Sequence, residues 1–315
     1  MAHHPELVKQ PQSEACGPGV AGGKAHHCSG VVILYTDFGY YGPYVGQLKS
    51  RLFSATERFS CPPPLVVDLM HDAPAFDPRR SAYLLAPCIP YLPTSSVLLA
   101  VVDPGVGTER SGLAIKLKDR WLVGPDNGLL AIAAKQFGAE ELYSLAKPTV
   151  GVAPTFHGRD VFADVAAALA RLTKSLPERD PLAQPGSAER PNSTSSVEAN
   201  CDEPLDSISA QSMQPLGGDK LVGADWPDDT DEVIYIDAYG NLHTGRRAAT
   251  IEAGYDLEIA KYRLSQAQKF ADVTPGELFW YENSMGMVEI AANCHSASQL
   301  LGDNGKIGTR IYWAN

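Results

Sequence analysis

No apolar run in this chain of 315 residues reaches the roughly 20 residues that crossing a bilayer requires. The opening stretch, MAHHPELVKQPQSEACGPGVAGGKAHHCSG, lacks the apolar centre of a secretory signal. Both absences point to a cytoplasmic protein with no membrane partner. Cations are scarce as well: 26 Lys and Arg stand against 37 Asp and Glu, a formal net charge of -11, and nowhere do they gather into a stripe. Nucleic-acid binding draws on clustered cations that displace counterions from phosphates, so no nucleic-acid partner is expected. The six cysteines (Cys16, Cys28, Cys61, Cys88, Cys201 and Cys294) follow no regular spacing, which excludes a disulfide framework and paired zinc ligands alike. HExxH and CxxC do not occur, so the sequence implies no metal site. His26, His27 and Cys28 lie together, but in a polar, glycine-rich leader, residues 1-30, whose composition reads as disorder.

What is present begins at residue 31. GVVILYTDF is a short apolar run rich in β-branched residues, and PYVGQLKSRLF behind it carries apolar residues at helical spacing. The unit repeats as PLVVDLMH with DPRRSAYLLAPCI, then SSVLLAVVD, then a hairpin-like LAIKLKDRWLVGPDNG before LLAIAAKQFG. Strands without strict alternation, separated by helices, predict a mostly parallel sheet covered on both faces, an α/β sandwich domain over 31-177. Residues 178-230 are rich in Ser, Pro, Asn, Asp and Glu with little to bury, and read as a low-complexity insertion between domains. From 231 to 315, DEVIYIDAYGNLHTG, YDLEIAKYRL, ELFWYENSMGMVEIAANC and GKIGTRIYWAN predict strands joined by Gly, Asn and Pro turns, a small β-barrel or sandwich.

Ligands of open α/β sheets bind beyond the carboxyl ends of the strands. Four such ends carry polar residues here: Asp37, the pair His71 and Asp72, Asp103, and Asp126 with Asn127. Singly, each is a turn former or helix cap before it is anything else. Arg110 follows Asp103 by seven residues through the turn PGVGTE, and TFHGRDVF places His157 just ahead of a helix that Asp160 is suited to cap.

Six motifs in order, YTDFGYYGPYVGQLK, VVDPGVGTER, VGPDNGLL, TFHGRDVF, IDAYGN and NSMGMVEIAAN, resemble the S-adenosyl-L-methionine (SAM) hydroxide adenosyltransferases, adenosine-forming SAM hydrolases related to the SAM-dependent fluorinase and chlorinase. The resemblance implies an N-terminal α/β domain, a C-terminal β-barrel and a homotrimer whose active sites lie between the N-terminal domain of one subunit and the C-terminal domain of the next. It implies that Asp103, Arg110 and His157 form the hydrolytic set, which the halogenases lack. By the same carry-over Asp37 holds the ribose hydroxyls and Phe76 packs against the ligand. Asp237 and Ser284 hold the amino-acid end, Tyr239 stacks on adenine, Asn241 bonds its edge, and backbone near Asn293 and Cys294 completes the purine site. Met285 stands where the halogenases bind carboxylate with arginine, and Gly42 and Tyr44 replace polar contacts. SAM is the substrate, adenosine and L-methionine the products, and no cofactor is required.

The chemistry fits such a set. Attack of water on the ribose C5′ of a sulfonium expels a neutral thioether, so no general acid is needed. The demand falls on the nucleophile, since bulk water has a pKa of about 15.7. An imidazole suits proton removal near neutrality, a guanidinium can stabilise developing hydroxide but cannot act as base, and a carboxylate can orient either. A halogenase, or a protein that binds SAM or adenosine without turnover, is the alternative.

Overall fold

A computed structural model of the protein describes residues 30–57, 62–146, 152–173 and 213–315. The leader with His26, His27 and Cys28, expected to be disordered, and residues 178–212 of the expected low-complexity insertion lie outside the described residues. Among those described, no helix is long and apolar enough to cross a membrane.

The N-terminal domain runs β1 (Val31–Thr36), α1 (Tyr44–Glu57), β2 (Leu65–Met70), α2 (Pro78–Leu85), β3 (Ser96–Val101), β4 (Gly112–Lys116), β5 (Trp121–Pro125), α3 (Ala131–Phe137), β6 (Glu141–Leu145), α4 (Ala163–Leu172) and β7 (Met213–Pro215). Its sheet has the order β2-β1-β3-β5-β4-β6-β7. The first four strands are parallel, and β4, β6 and β7 join antiparallel. Strands β1 and β3 are buried at every position because both faces are covered. Alternate residues serve opposite cores: Ile33, Tyr35, Leu98 and Ala100 meet α2 and α3, whereas Val32, Leu34, Val97 and Leu99 meet α1 and α4. Helix α2 starts where sequence chemistry starts it, with Asp77 accepting the Arg80 N–H at 3.0 Å and Pro78 in the first turn.

The C-terminal domain comprises β8 (Thr230–Ile236), β9 (Leu242–Arg247), β10 (Asp256–Ile259), β11 (Tyr262–Leu264), β12 (Leu278–Glu282), β13 (Met287–Ala292), the short α5 (Ala297–Leu301) and β14 (Ile311–Ala314). The predicted barrel is not found as one closed sheet. The strands pair as β12-β13-β9-β8 and β11-β10-β14, and isolated bridges, Glu232 with Arg310 and Gln266 with Trp280, stitch the two open sheets together. The strands are only three to seven residues long, and register shifts interrupt the β13–β9 and β8–β9 ladders.

A second correction concerns residues 213–230, assigned by composition to the unstructured insertion. Strand β7 pairs with β6, Leu221 is buried, and Trp226 packs on the core beneath α2 and α3. Only a few apolar anchors hold this stretch, too sparse to make a periodic pattern. Tyr83 donates to the Pro227 carbonyl at 2.7 Å and Arg80 pairs with Glu232 at 2.9 Å, which ties the segment and β8 to α2.

Gly124 lies in β5 between β3 and β4, and a Cβ there would stand 2.4 Å from the backbone oxygen of Ala100. Gly124→Ala is therefore expected to cost about 1–3 kcal/mol, a fall in Tm of about 2–4 °C for each kcal/mol. An unchanged thermal melt would show that β3 and β5 can separate without cost.

Candidate active site

Connections from β1 lead to β2 on one side and, past β1, to β3 on the other, so the strand order reverses between β1 and β3. A crevice opens at such a switch point, and the residues leaving these two strands are Asp37 and Asp103. Both line a cleft of 290 Å³ together with Phe38, Phe76, Phe156 and His157.

Asp37 accepts the backbone N–H of Phe76 at 3.1 Å. Phe76 sits at φ 59°, an uncommon conformation for a bulky residue, with its ring 79% exposed over the cleft. Burial holds the Asp37 carboxyl above its ordinary range, against the opposing effect of the Phe76 hydrogen bond.

The loop from Asp103 to Arg110 is a compact double turn. The Val106 N–H donates to the Asp103 carbonyl at 3.3 Å, and the Thr108 N–H and hydroxyl both reach the Gly105 carbonyl, at 3.2 and 2.7 Å. Gly107, at φ 83°, passes so close to Pro154 that a Cβ would meet its oxygen at 2.8 Å. This turn folds Arg110 back on Asp103. Its Nη2 donates to Asp103 Oδ2 at 2.6 Å and to His157 Nδ1 at 3.3 Å, Nη1 donates to the Ser111 carbonyl at 2.5 Å, and the guanidinium lies 5.4 Å from the centre of the Phe162 ring. His157 immediately precedes a single π-turn, Gly158–Phe162, whose extra residue in the turn seats Phe162 beneath Arg110. Thus the expected trio converges. Asp103 and His157 form cleft wall, and Arg110 stands behind them.

The pair is buried, with 5% of the Asp103 side chain and 8% of the Arg110 side chain exposed. Desolvation wins over their mutual attraction on both sides: it raises the Asp103 carboxyl and lowers the Arg110 guanidinium relative to their ordinary values. Asp103 Oδ1 makes no full hydrogen bond among the described residues, though the Gly105 backbone N–H lies near enough to the carboxylate to oppose the rise in its pKa.

Other strand-end residues serve the scaffold. Asn127 bonds the Val102 carbonyl and caps the Leu129 N–H, His71 meets Thr36 at 2.8 Å while fully buried, and Asp72 accepts the Tyr235 hydroxyl at 2.9 Å. Asp160 does not cap the helix, which His157 begins; it pairs with Arg159 at 2.6 Å and accepts the Ala153 N–H.

A second cleft, of 660 Å³, lies on the C-terminal domain and shares no lining residue with the first. It gathers Asp237, Tyr239, Asn241 and Cys294. Asp237 Oδ1 accepts the N–H groups of Tyr239 and Asn241, each at 2.9 Å, and Oδ2 accepts the Asn241 amide at 3.2 Å, so this carboxylate also builds the turn that presents the 82% exposed Tyr239 ring. Gly240 is required there, since a Cβ would meet Ser296 Oγ at 2.0 Å. Asn293 and Ser284 line neither cleft: the Asn293 amide donates to the Val273 carbonyl at 2.6 Å, and the Ser284 carbonyl accepts the Tyr91 hydroxyl at 2.5 Å.

Glu289 and Tyr281, absent from the sequence-based expectations, also line the second cleft. Buried Glu289 accepts the Tyr281 hydroxyl at 2.5 Å and the Asn283 amide at 2.9 Å, and His243 stands opposite it across the β9–β13 ladder. A lone acid inside the apolar run MVEIAA was the available cue. Asp237, His243 and Glu289 bring ligand atoms within 4.8 Å of one another. Their carboxylates are already engaged by backbone, amide and phenol donors, which leaves them poorly free to ligate a metal.

Fold and site define a two-domain α/β protein with a buried Asp-Arg-His set at the switch point of its sheet. Residues 32–178 match the SAM hydroxide adenosyltransferase N-terminal domain and residues 231–306 the C-terminal domain, so the chain belongs to the SAM hydroxide adenosyltransferase family. The (R)-S-adenosyl-L-methionine hydrolase of Salinispora tropica is 35% identical over 272 residues, covering 85% of this chain and 92% of that protein. The hydrolase of the same name from Thermus thermophilus is 36% identical over 282 residues, 86% of this chain and 95% of that one. The crystal structure of an uncharacterized conserved protein from Thermotoga maritima superposes with a TM-score of 0.68 at 26% identity, over 90% of this chain and 100% of that chain.

The raised Asp37 carboxyl has a consequence for stability. The folded state binds this proton more tightly than the unfolded chain, so the contribution is present below the unfolded pKa and is lost as pH rises through the folded one. Asp37→Asn is expected to gain stability over the parent at pH 7 and to lose that advantage towards pH 4 in urea unfolding. An offset independent of pH would contradict the burial argument.

Proposed function

We propose that the protein hydrolyses SAM to adenosine and L-methionine. The observation that carries this reading is the cluster of Asp103, Arg110 and His157, in which Arg110 joins the two residues that line one cleft beside Asp37 and Phe76, within a family whose relatives bear the name SAM hydrolase. Asp103, with Arg110 behind it and His157 beside it, holds one water in line with the C5′–S bond, Asp37 takes the ribose hydroxyls, and the fixed geometry removes the orientational cost of the attack. Water suits this cleft better than halide. A buried carboxylate in the wall repels an anionic nucleophile and attracts the protons of a neutral one.

Each chain carries the water-activating cleft and the Tyr239 cleft as separate surfaces. The proposed enzyme is a cytoplasmic homotrimer in which the first cleft of one subunit meets the second cleft of its neighbour, where Tyr239 stacks on adenine, Asn241 bonds its edge and Asp237 faces the ammonium. Head-to-tail contacts of this kind close into rings.

Incubation with SAM in halide-free oxygen-18 water, followed by mass spectrometry, tests the reaction. Adenosine carrying one heavy oxygen, with unlabelled methionine, is expected. Chloride-dependent 5′-chloro-5′-deoxyadenosine would establish a halogenase instead, and SAM retained without turnover would establish a binding protein. Asp103→Asn is expected to lower kcat by about 10²–10⁴ while leaving SAM affinity nearly unchanged.

The shared site has its own test. Tyr239→Ala removes a stacking contact of about 1–3 kcal/mol. Co-expressed Asp103→Asn and Tyr239→Ala chains should regain activity that neither has alone, because one in the mixed ring supplies the intact first cleft and the other the intact second. Activity no higher than the average of the two pure variants would place each site within a single chain.

A further inference from the structure

The hydrolase reading leaves open which group takes the proton from water, and the hydrogen-bond geometry restricts the choice. Arginine donates and never accepts. The contact of Arg110 Nη2 with His157 Nδ1 at 3.3 Å therefore makes Nδ1 an acceptor. In a neutral imidazole the proton then resides on Nε2. Neither nitrogen is left to act as base: one lone pair is committed to a cation and the other nitrogen carries hydrogen. Arg110 stands behind the cleft wall and cannot serve either.

Asp103 has the opposite character. It lines the cleft, one carboxylate oxygen is held by Arg110, and the other, Oδ1, makes no full hydrogen bond among the described residues, with only the Gly105 backbone N–H near the carboxylate. Gly105 contributes no side chain beside it; a Cβ would lie 3.8 Å from Oδ1. A buried acceptor without a donor costs about 1–3 kcal/mol, a cost relieved when water donates to it. On the hydrolase reading, we infer that Asp103 is the general base, with Oδ1 as the accepting atom, and that Arg110 and His157 are positioning residues.

The step balances. The water oxygen bonds to C5′ as the C5′–S bond breaks and its electron pair returns to sulfur, giving neutral methionine thioether. A water proton passes to Asp103 Oδ1, so the positive charge of the sulfonium leaves as that proton. Free hydroxide is unnecessary, because water becomes strongly acidic as its oxygen bonds to carbon, and a carboxylate whose pKa burial has raised is basic enough to receive the proton.

Chemical rescue tests the assignment in the full-length protein, with adenosine release as readout. Asp103→Ala should lose about 10²–10⁴-fold in kcat and recover at least tenfold with added formate. His157→Asn, which keeps an oxygen to accept from Arg110, should stay within about tenfold of the parent and keep the acidic limb of its kcat–pH profile at the parental pH. Imidazole should not restore His157→Ala. Rescue of His157→Ala by imidazole, or loss of the acidic limb in His157→Asn, overturns the inference even if Asp103→Ala misfolds. Parent protein that releases no adenosine from SAM overturns the hydrolase reading and this assignment with it; parental turnover with the reversed rescue pattern overturns the assignment alone.

Discussion

A guanidinium and a carboxylate meet at 2.6 Å at the carboxyl end of the central sheet, each almost wholly withdrawn from solvent. Taking two charges out of water costs several kcal/mol per ion, and their attraction offsets this only when the remaining donors and acceptors are also satisfied. Arg110 meets that condition in part, through Ser111, His157 and the face of Phe162, while its Nε has no partner among the described residues. Asp103 falls short too, since Oδ1 makes no full hydrogen bond among the described residues. Of these unmet atoms, Oδ1 belongs to the residue that lines the cleft.

Much of the N-terminal domain exists to hold that pair. Asp103 follows the end of strand β3 by two residues, the Gly105 and Gly107 turns return the chain to Arg110, and the π-turn before α4 delivers His157 and Phe162 from the other side. Asp37 enters from β1, the neighbour of β3 across the switch point. Removing either charge alone would strand its partner in a dry setting, at a cost of about 3–5 kcal/mol. The site and the stability of this end of the sheet are therefore coupled.

The two clefts present different chemistry. The first offers a carboxylate and an imidazole around a small space; the second offers an exposed ring on a rigid turn above a buried acid. A nucleoside with a charged amino-acid tail needs both kinds of surface, and each chain displays them apart. This separation is what favours the proposed pairing of subunits.

Local chemistry made several features readable. Unbroken apolar runs at β1 and β3 announced a doubly covered sheet, Asp77 and Pro78 marked a helix start, and VVDPGVGTER set Asp103 and Arg110 within one turn of each other. Packing of the segment around Trp226 was not readable, because isolated anchors leave no periodicity. Nor was the failure of the C-terminal strands to close into one sheet, since seams between short strands depend on curvature.

By itself the sequence determined the order of strands and helices, the acidic character of the chain, the irregular spacing of its cysteines, and the residue types available at each strand end. Only the tertiary structure decided that His157, 47 residues from Arg110, turns its Nδ1 to that guanidinium, and that Ser284 and Asn293 stand outside the clefts. The reason is physical: strand and turn preferences act between near neighbours, whereas tautomer, burial and charge pairing are set by whichever distant groups the packed sheet brings within 3–4 Å.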